Sequence, residues 1–283
     1  MPDGVILNIL CGVAYDGSEF SGWQIQPEKI TVQSVIEEVL TKLYGIKIKI
    51  TGAGRTDSGV HALKNYFNFK PLENKIPVDK LVYVLNNYLP HSIRILSAKK
   101  VDEDFNSRRN FMRRIYEYRI VIGEVSPFFR NYRLFLKKKL DADKMNQAAK
   151  YLIGTYDFSG FKASDCKSKT QTRTVYNSSV SESVFVRYLA PRPSQFCASQ
   201  SCFEQYSRNQ DCPEVIIHIE ANAFLKNMVR IITGTLIDIG YGKKNPEIIK
   251  EILESKERRI AGKTISPAGL YLIDAIPDFS GKS

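Results

Sequence analysis

Strand-like and helix-like periods follow one another twice along this chain, and that recurrence limits the fold more than any other feature. The run "VILNILCGVA" (5–14) is too short to span a bilayer and reads as a buried strand. "TVQSVIEEVLTKLYG" (31–45) then sets Val32, Val35, Ile36, Val39, Leu40 and Leu43 at helical spacing, between a threonine start and a glycine stop. "IKIKI" (46–50) and "NYFNFK" (65–70) alternate as strands, "VDKLVYVLNNYL" (78–89) fits a helix broken by Pro90, and "IRILSAKKV" (93–101) is again a strand. From about residue 113 the order restarts: strand "IYEYRIVIG", helix 141–154, strands near 172–185 and 214–220, helix 225–240. Helix 246–255 and strand 269–276 finish the chain. The fold class is α+β, in two similar halves spanning 1–105 and 106–283. No direct sequence repeat accompanies the order of elements, so the likeness of the halves rests on that order alone.

One stretch breaks the second half. An insertion near 184–213, centred on "VRYLAPRPSQFCASQSCFEQYSRNQDCP" (186–213), has three cysteines, three prolines and no sustained period. It interrupts a strand pair and is expected to be a surface loop, disordered or a mobile flap. Five cysteines in a chain that opens "MPDG", without a charged leader, point to free thiols and the cytoplasm rather than to a disulfide framework. A zinc site would have to use Cys197, Cys202 and Cys212, which contain no C-x-x-C pair, so no metal is expected.

Charge narrows the partner. The 41 Lys and Arg against 30 Asp and Glu give a net charge of +11. The excess gathers in "NSRRNFMRRIYEYR" (106–119) and "FFRNYRLFLKKK" (128–139), where aromatic rings stand among the cations. Cations neutralise phosphates and rings stack on exposed bases, which suits RNA; a plain solvated basic face gives the same composition. No segment calls for a membrane.

Between the first-half strands lies "GAGRTDSGVHA" (52–62). It is not a dinucleotide fingerprint, because the residue three after Gly54 is Asp57, and it lacks the lysine and hydroxyl that end a phosphate-binding loop. What remains is an acid near Arg55 in a glycine-permitted turn, flanked by Thr56 and Ser58. Such a carboxylate can be nucleophile, base or metal ligand, or can simply bond the amides of its own turn. No second acid is near in sequence to pair with it.

This motif is very similar to the signature of the tRNA pseudouridine synthase A family. So, in the family's order, are "YDGSEFSGWQIQ" (15–26), "LNNYLP" (85–90), "DFNSR" (104–108), "RRIYEYRI" (113–120), "YLIGTYDFSGF" (151–161), "CKSKTQTRTV" (166–175), "ANAFLKNMVRIITGTL" (221–236) and "PAGLYL" (267–272). The resemblance covers nearly the whole chain and implies an isomerase that detaches uracil from ribose, turns it and rejoins it through carbon five. It implies a fold of two halves whose antiparallel sheets join around a central RNA-binding cleft. It further implies Asp57 as the catalytic carboxylate, Arg55 as the group entering the space left by a flipped base, Tyr116 packing on that base, and Arg230 pairing with Asp57. Arg108 and Arg114 match basic positions and are the expected phosphate contacts. Tyr118 and Trp23 are expected in the core, His61 as a packing residue, and Lys137 to Lys139 as a solvated face. The implied substrate is uridine at positions 38–40 of the tRNA anticodon stem-loop, with no cofactor, in a homodimer that clamps tRNA. The insertion departs from the bacterial pattern and leaves a related synthase with another RNA target open. A noncatalytic RNA-binding or folding factor is the rival from another class; it has no need of a carboxylate among phosphates.

Overall fold

The computed structural model describes residues 7–72, 75–124, 127–186 and 211–277. In the first half β1 (Asn8–Tyr15) leads to α1 (Val32–Tyr44), β2 (Thr51–Gly52), β3 (His61–Phe69), α2 (Val78–Tyr88) and β4 (Ile93–Val101). In the second, β5 (Phe111–Ile122) is followed by β6 (Leu134–Leu136), α3 (Ala142–Lys150), β7 (Gly154–Asp157), β8 (Thr172–Val186) and β9 (Asp211–Ala221). Then come α4 (Met228–Gly240), α5 (Ile248–Ser255) and β10 (Leu270–Pro277). These strands form a single sheet of order β4-β1-β3-β10-β5-β9-β8-β7, with β2 on β3 and β6 on β5.

Apart from β6, β7 and α5, each half is a β-α-β-β-α-β unit with its fourth strand beside its first and its second beside its third. The halves join through β10, which runs antiparallel to β5 (Leu270 opposite Tyr118) and parallel to β3 (Tyr271 opposite His61). Alternation along β1 sends Ile9, Cys11, Val13 and Tyr15 into one continuous core shared with all five helices. Leu10 points the other way, into a small cluster with Ala53, Phe105, Phe111 and Ala275. The α1 start is a reciprocal cap between Thr31 and Ser34, and its stop is Gly45 in the left-handed region.

"IKIKI" is not a strand, which corrects the sequence reading. Ile48 and Ile50 are buried and the lysines exposed, so the alternation is real, but the backbone joins no ladder. Instead the Ile48 amide donates to Thr41 Oγ1 (3.2 Å) and the Ile50 amide to Glu37 Oε1 (3.0 Å), both on α1. Period two reports half-burial; it does not say who takes the amides. The linker between the halves is tied in a similar way. Buried Asn8 donates to the carbonyls of Asp102 (2.9 Å) and Phe105 (2.9 Å), and Asn68 Oδ1 accepts from the Ser107 amide (2.9 Å). β8 and β9 stay paired as far as Val186 opposite Asp211. The expected flap, with Cys197 and Cys202, lies outside the described residues.

Candidate active site

The Asp57 loop leaves β2 and re-enters the sheet at β3. Its entry is clamped by Asn65, whose Oδ1 accepts from the Gly54 amide (3.2 Å) while Nδ2 donates to the Gly54 carbonyl (3.0 Å). The Thr56 carbonyl accepts from the Trp23 amide (3.1 Å), and the Asp57 carbonyl from the Val60 amide (3.1 Å). Gly59 closes the turn at φ 77°, where a Cβ would lie 2.7 Å from Pro267 Cγ, so no other residue fits without strain. Trp23 is buried between Tyr15 and Phe67, and His61 is buried against Tyr271 (4.8 Å between ring centres) with Nε2 at the Asn131 carbonyl.

The partners of the Asp57 carboxylate come from the other half rather than from its own turn. Burial raises its pKa above the usual carboxylate range; the Arg230 and Lys226 charges and the Asn227 backbone amide pull it back only in part. These three belong to the start of α4, whose N-cap, Asn227, sits at φ 60° and ψ 8°. A left-handed asparagine at a helix entrance is a strained backbone of the kind that collects at functional sites. Asn227 also accepts from Arg230 Nη1 (2.8 Å), and Arg230 Nε donates to the Ile265 carbonyl (2.6 Å). Arg230 is thus locked in place and acts on Asp57 through space; among the described residues the two form no ion pair within hydrogen-bonding reach. Burial lowers the Arg230 pKa, and the nearby Asp57 opposes that shift.

Tyr116 comes from the middle of β5, flanked by Leu272 of β10 and Ile219 of β9. It is buried, meets Phe224 edge to face at 5.0 Å, and its hydroxyl is held protonated first by burial, then by Tyr15 and Asp57. Arg55 is exposed on the loop, close enough to Arg108 that, after burial, that second cation disfavours its charge. Arg114 is placed differently. Its guanidinium donates to the carbonyls of Phe111 (2.6 Å), Asn222 (2.8 Å) and Ala53 (2.7 Å), tying the Asp57 loop to the start of β5 and the end of β9. Tyr118 is core, with its hydroxyl on the Ser266 carbonyl (2.7 Å). Lys137 is exposed beside Glu124.

The structure therefore gathers Asp57, Arg230 and Tyr116 at one place, with Arg55 and Arg108 at its rim. A family described as "tRNA pseudouridine synthase" matches residues 12–110 and 148–276. The tRNA pseudouridine synthase A of Caldicellulosiruptor bescii is 42% identical over 270 residues, covering 95% of this chain and 99% of that protein. That of Brevibacillus brevis is 38% identical over 267 residues, covering 94% and 98%. The chain belongs to the tRNA pseudouridine synthase family. Membership makes it an enzyme, an isomerase.

Sequence reasoning missed several residues of this family member's site. Asn227 and Lys226 lie in the quoted "ANAFLKNMVRI", and an asparagine just before an apolar helix is a start signal that points to them. Asp165, which pairs with Lys226 (2.5 Å) and faces Asp57 electrostatically, carries no signal in sequence. Among the described residues no group of three His, Cys, Asp or Glu is arranged to hold a metal, and no helix is long and apolar enough to cross a membrane.

Proposed function

We propose that this chain isomerises uridine to pseudouridine at positions 38–40 of the tRNA anticodon stem-loop, in the cytoplasm and as a homodimer, with Asp57 as its catalytic carboxylate. The observation that carries the reading is the desolvated Asp57 carboxylate facing Arg230 and the Asn227 amide across the junction of the halves, with Tyr116 beside it. The position of the target and the homodimer rest on the family resemblance.

The chemistry asks for few groups. The C1′–N1 bond breaks, the uracil turns, and a C1′–C5 bond forms; C5 loses a proton and N1 gains one, so the balance needs neither redox partner nor net water. Breaking the first bond builds positive charge at C1′, which an ionised, partly desolvated carboxylate opposes more strongly than a solvated one. Arg230 keeps that carboxylate ionised in a buried place. Tyr116 offers a ring to the freed base. A base turned within a site must first leave its stack, and Arg55 at the rim is placed to fill the gap by stacking as well as by charge. Arg108 beside it is the phosphate contact; Arg114, committed to three carbonyls, holds the loop instead.

Release of tritium from carbon five of uracil in labelled tRNA tests the reading. Asp57→Asn is expected to abolish release while tRNA binding survives. Release by that variant overturns Asp57 as the catalytic group, and tight binding without release by the unaltered protein favours the RNA-binding factor. Mapping pseudouridine in tRNA from cells with and without the protein decides the positions.

A further inference from the structure

Beneath the Asp57 loop lies a chain of buried polar groups that the reaction as described does not use. Asn65, Tyr15 and Thr56 are 0%, 4% and 7% exposed. The orientation of Asn65 is fixed by backbone, since Oδ1 accepts from the amides of Gly54 and Tyr66 (2.9 Å) and Nδ2 donates to the Gly54 carbonyl. Nδ2 also reaches the Tyr15 hydroxyl at 3.4 Å, where the Tyr15 oxygen accepts, and the same hydroxyl shares a hydrogen bond with Thr56 Oγ1 at 2.8 Å. The chain ends on the residue just before Asp57.

We infer that Tyr15, oriented by Asn65, is a positioning residue for the isomerisation: its hydrogen bond to Thr56 fixes the direction in which the next residue, Asp57, presents its carboxylate. This rests on the reading of Asp57 as the catalytic group. A turn held only by backbone bonds leaves the torsions around Thr56 soft, and here the side chain of Thr56 is tied to a ring packed on Trp23 (5.8 Å between ring centres) and rooted in β1. Fold stability alone does not ask for these hydroxyls. A buried pair replaced on both sides by apolar groups of the same shape costs little or nothing, and Phe with Val would fill the same space.

Single-turnover tritium release, with KM for tRNA and melting temperature measured alongside, tests this on Tyr15→Phe, Thr56→Val, the double variant and Thr56→Ser. Each single variant is expected to lower kcat by about tenfold to a hundredfold, the cost of a slightly misplaced reacting group. KM stays within about twofold. The double variant loses no more than the worse single one, because both break the same bond, and it melts no lower than the unaltered protein. Thr56→Ser, which keeps the hydroxyl, recovers most of the rate. A double variant with unaltered kcat overturns the inference, as does a loss of kcat matched by a fall in melting temperature. Asp57→Asn in the same assay separates the two readings. If it is inactive while Tyr15→Phe and Thr56→Val turn over normally, only the positioning role fails; if it is active, the catalytic assignment itself fails.

Discussion

The two halves share one topology but differ at the second strand. In the second half β8 runs for 15 residues and pairs with β9 from Val175 to Val186. In the first, β2 is cut to Thr51 and Gly52. This shortening does two things. β2 covers only the Phe67–Asn68 end of one edge of β3, leaving the His61–Ala62 end for β10, which joins the halves into one sheet. It also releases residues 53–60 from any ladder as the Asp57 loop. Some of the backbone groups that lose ladder partners here are taken by side chains: Asn65 for Gly54, Glu37 and Thr41 for the chain before β2. The regular half supplies what must not move, Tyr116 within a fully paired strand and Arg230 on the first turn of α4. The irregular half supplies Asp57, the carboxylate proposed to react, whose direction has to be tuned.

If the regular half serves as an electrostatic holder, removing its charge has the largest effect. Arg230→Ala is expected to lower kcat about a hundredfold to a thousandfold, the range for deleting a preorganised electrostatic group. Burial already holds the Asp57 pKa above the usual carboxylate range and Arg230 works against it. Without Arg230 the acid limb of the kcat–pH profile therefore moves to higher pH. Arg230→Lys keeps the charge but cannot bond Asn227 and Ile265 together, so it restores the position of the limb better than the rate. An unmoved limb in Arg230→Ala means that the second half is a scaffold without electrostatic influence on the first.

The periods of α1, α2 and β4 are legible because each element buries one face, and burial is what a hydrophobic pattern records. The repeated order of elements announces two alike halves. It does not reveal that the last strand lies between them, since pairing partners leave no periodic trace. "IKIKI" shows the limit most sharply: its alternation is correct and its assignment as strand is not. In the site, Asp57 is visible as an acid in a glycine-rich turn, and only resemblance separates it from an ordinary Asx turn. Arg114 is visible as a cation, yet the carbonyls of two distant residues, Ala53 and Asn222, together with that of Phe111 on its own strand, decide that it clamps. Charge is written in sequence; the partners of a charge are written in the fold.

Two arginines at the junction of the halves differ in the same way. Arg114, which ties the irregular loop to the regular β5, and Arg108, exposed on the linker, look alike in sequence. Arg114→Met is expected to lower kcat about tenfold with the salt dependence of tRNA binding unchanged, a loss through positioning. Arg108→Ala weakens tRNA binding a fewfold, leaves kcat nearly intact and reduces the slope of log K against log salt by about one. Stopped turnover and salt titration read the two quantities separately. If Arg114→Met lowers the salt slope, it contacts phosphate after all and the loop is held by other means.

The smallest effect concerns what the irregular half gives up in stability. Asp57 is an acid whose pKa is higher folded than unfolded, with burial as the first cause. The folded chain holds its proton more tightly, so the group contributes stability below its unfolded pKa, and that contribution is lost as pH rises through the folded value. Ionised Asp57 is therefore a cost at neutral pH, and Asp57→Asn, which cannot ionise, should raise the melting temperature there by about 1–3 °C. The gain should vanish as pH falls through the carboxylate range. Asp16, in the same half, has the opposite sign: burial pushes its pKa up, but hydrogen bonds from Tyr132 (2.5 Å) and Ser18 outweigh it and hold the value below the usual range. Its contribution is present above the unfolded pKa and lost in acid, so Asp16→Asn should lower the melting temperature at neutral pH. Calorimetry on both variants across pH decides whether strain is confined to the Asp57 loop. Two shifts of the same direction would mean that the first half carries buried charge generally, and that Asp57 is not set apart from its neighbours.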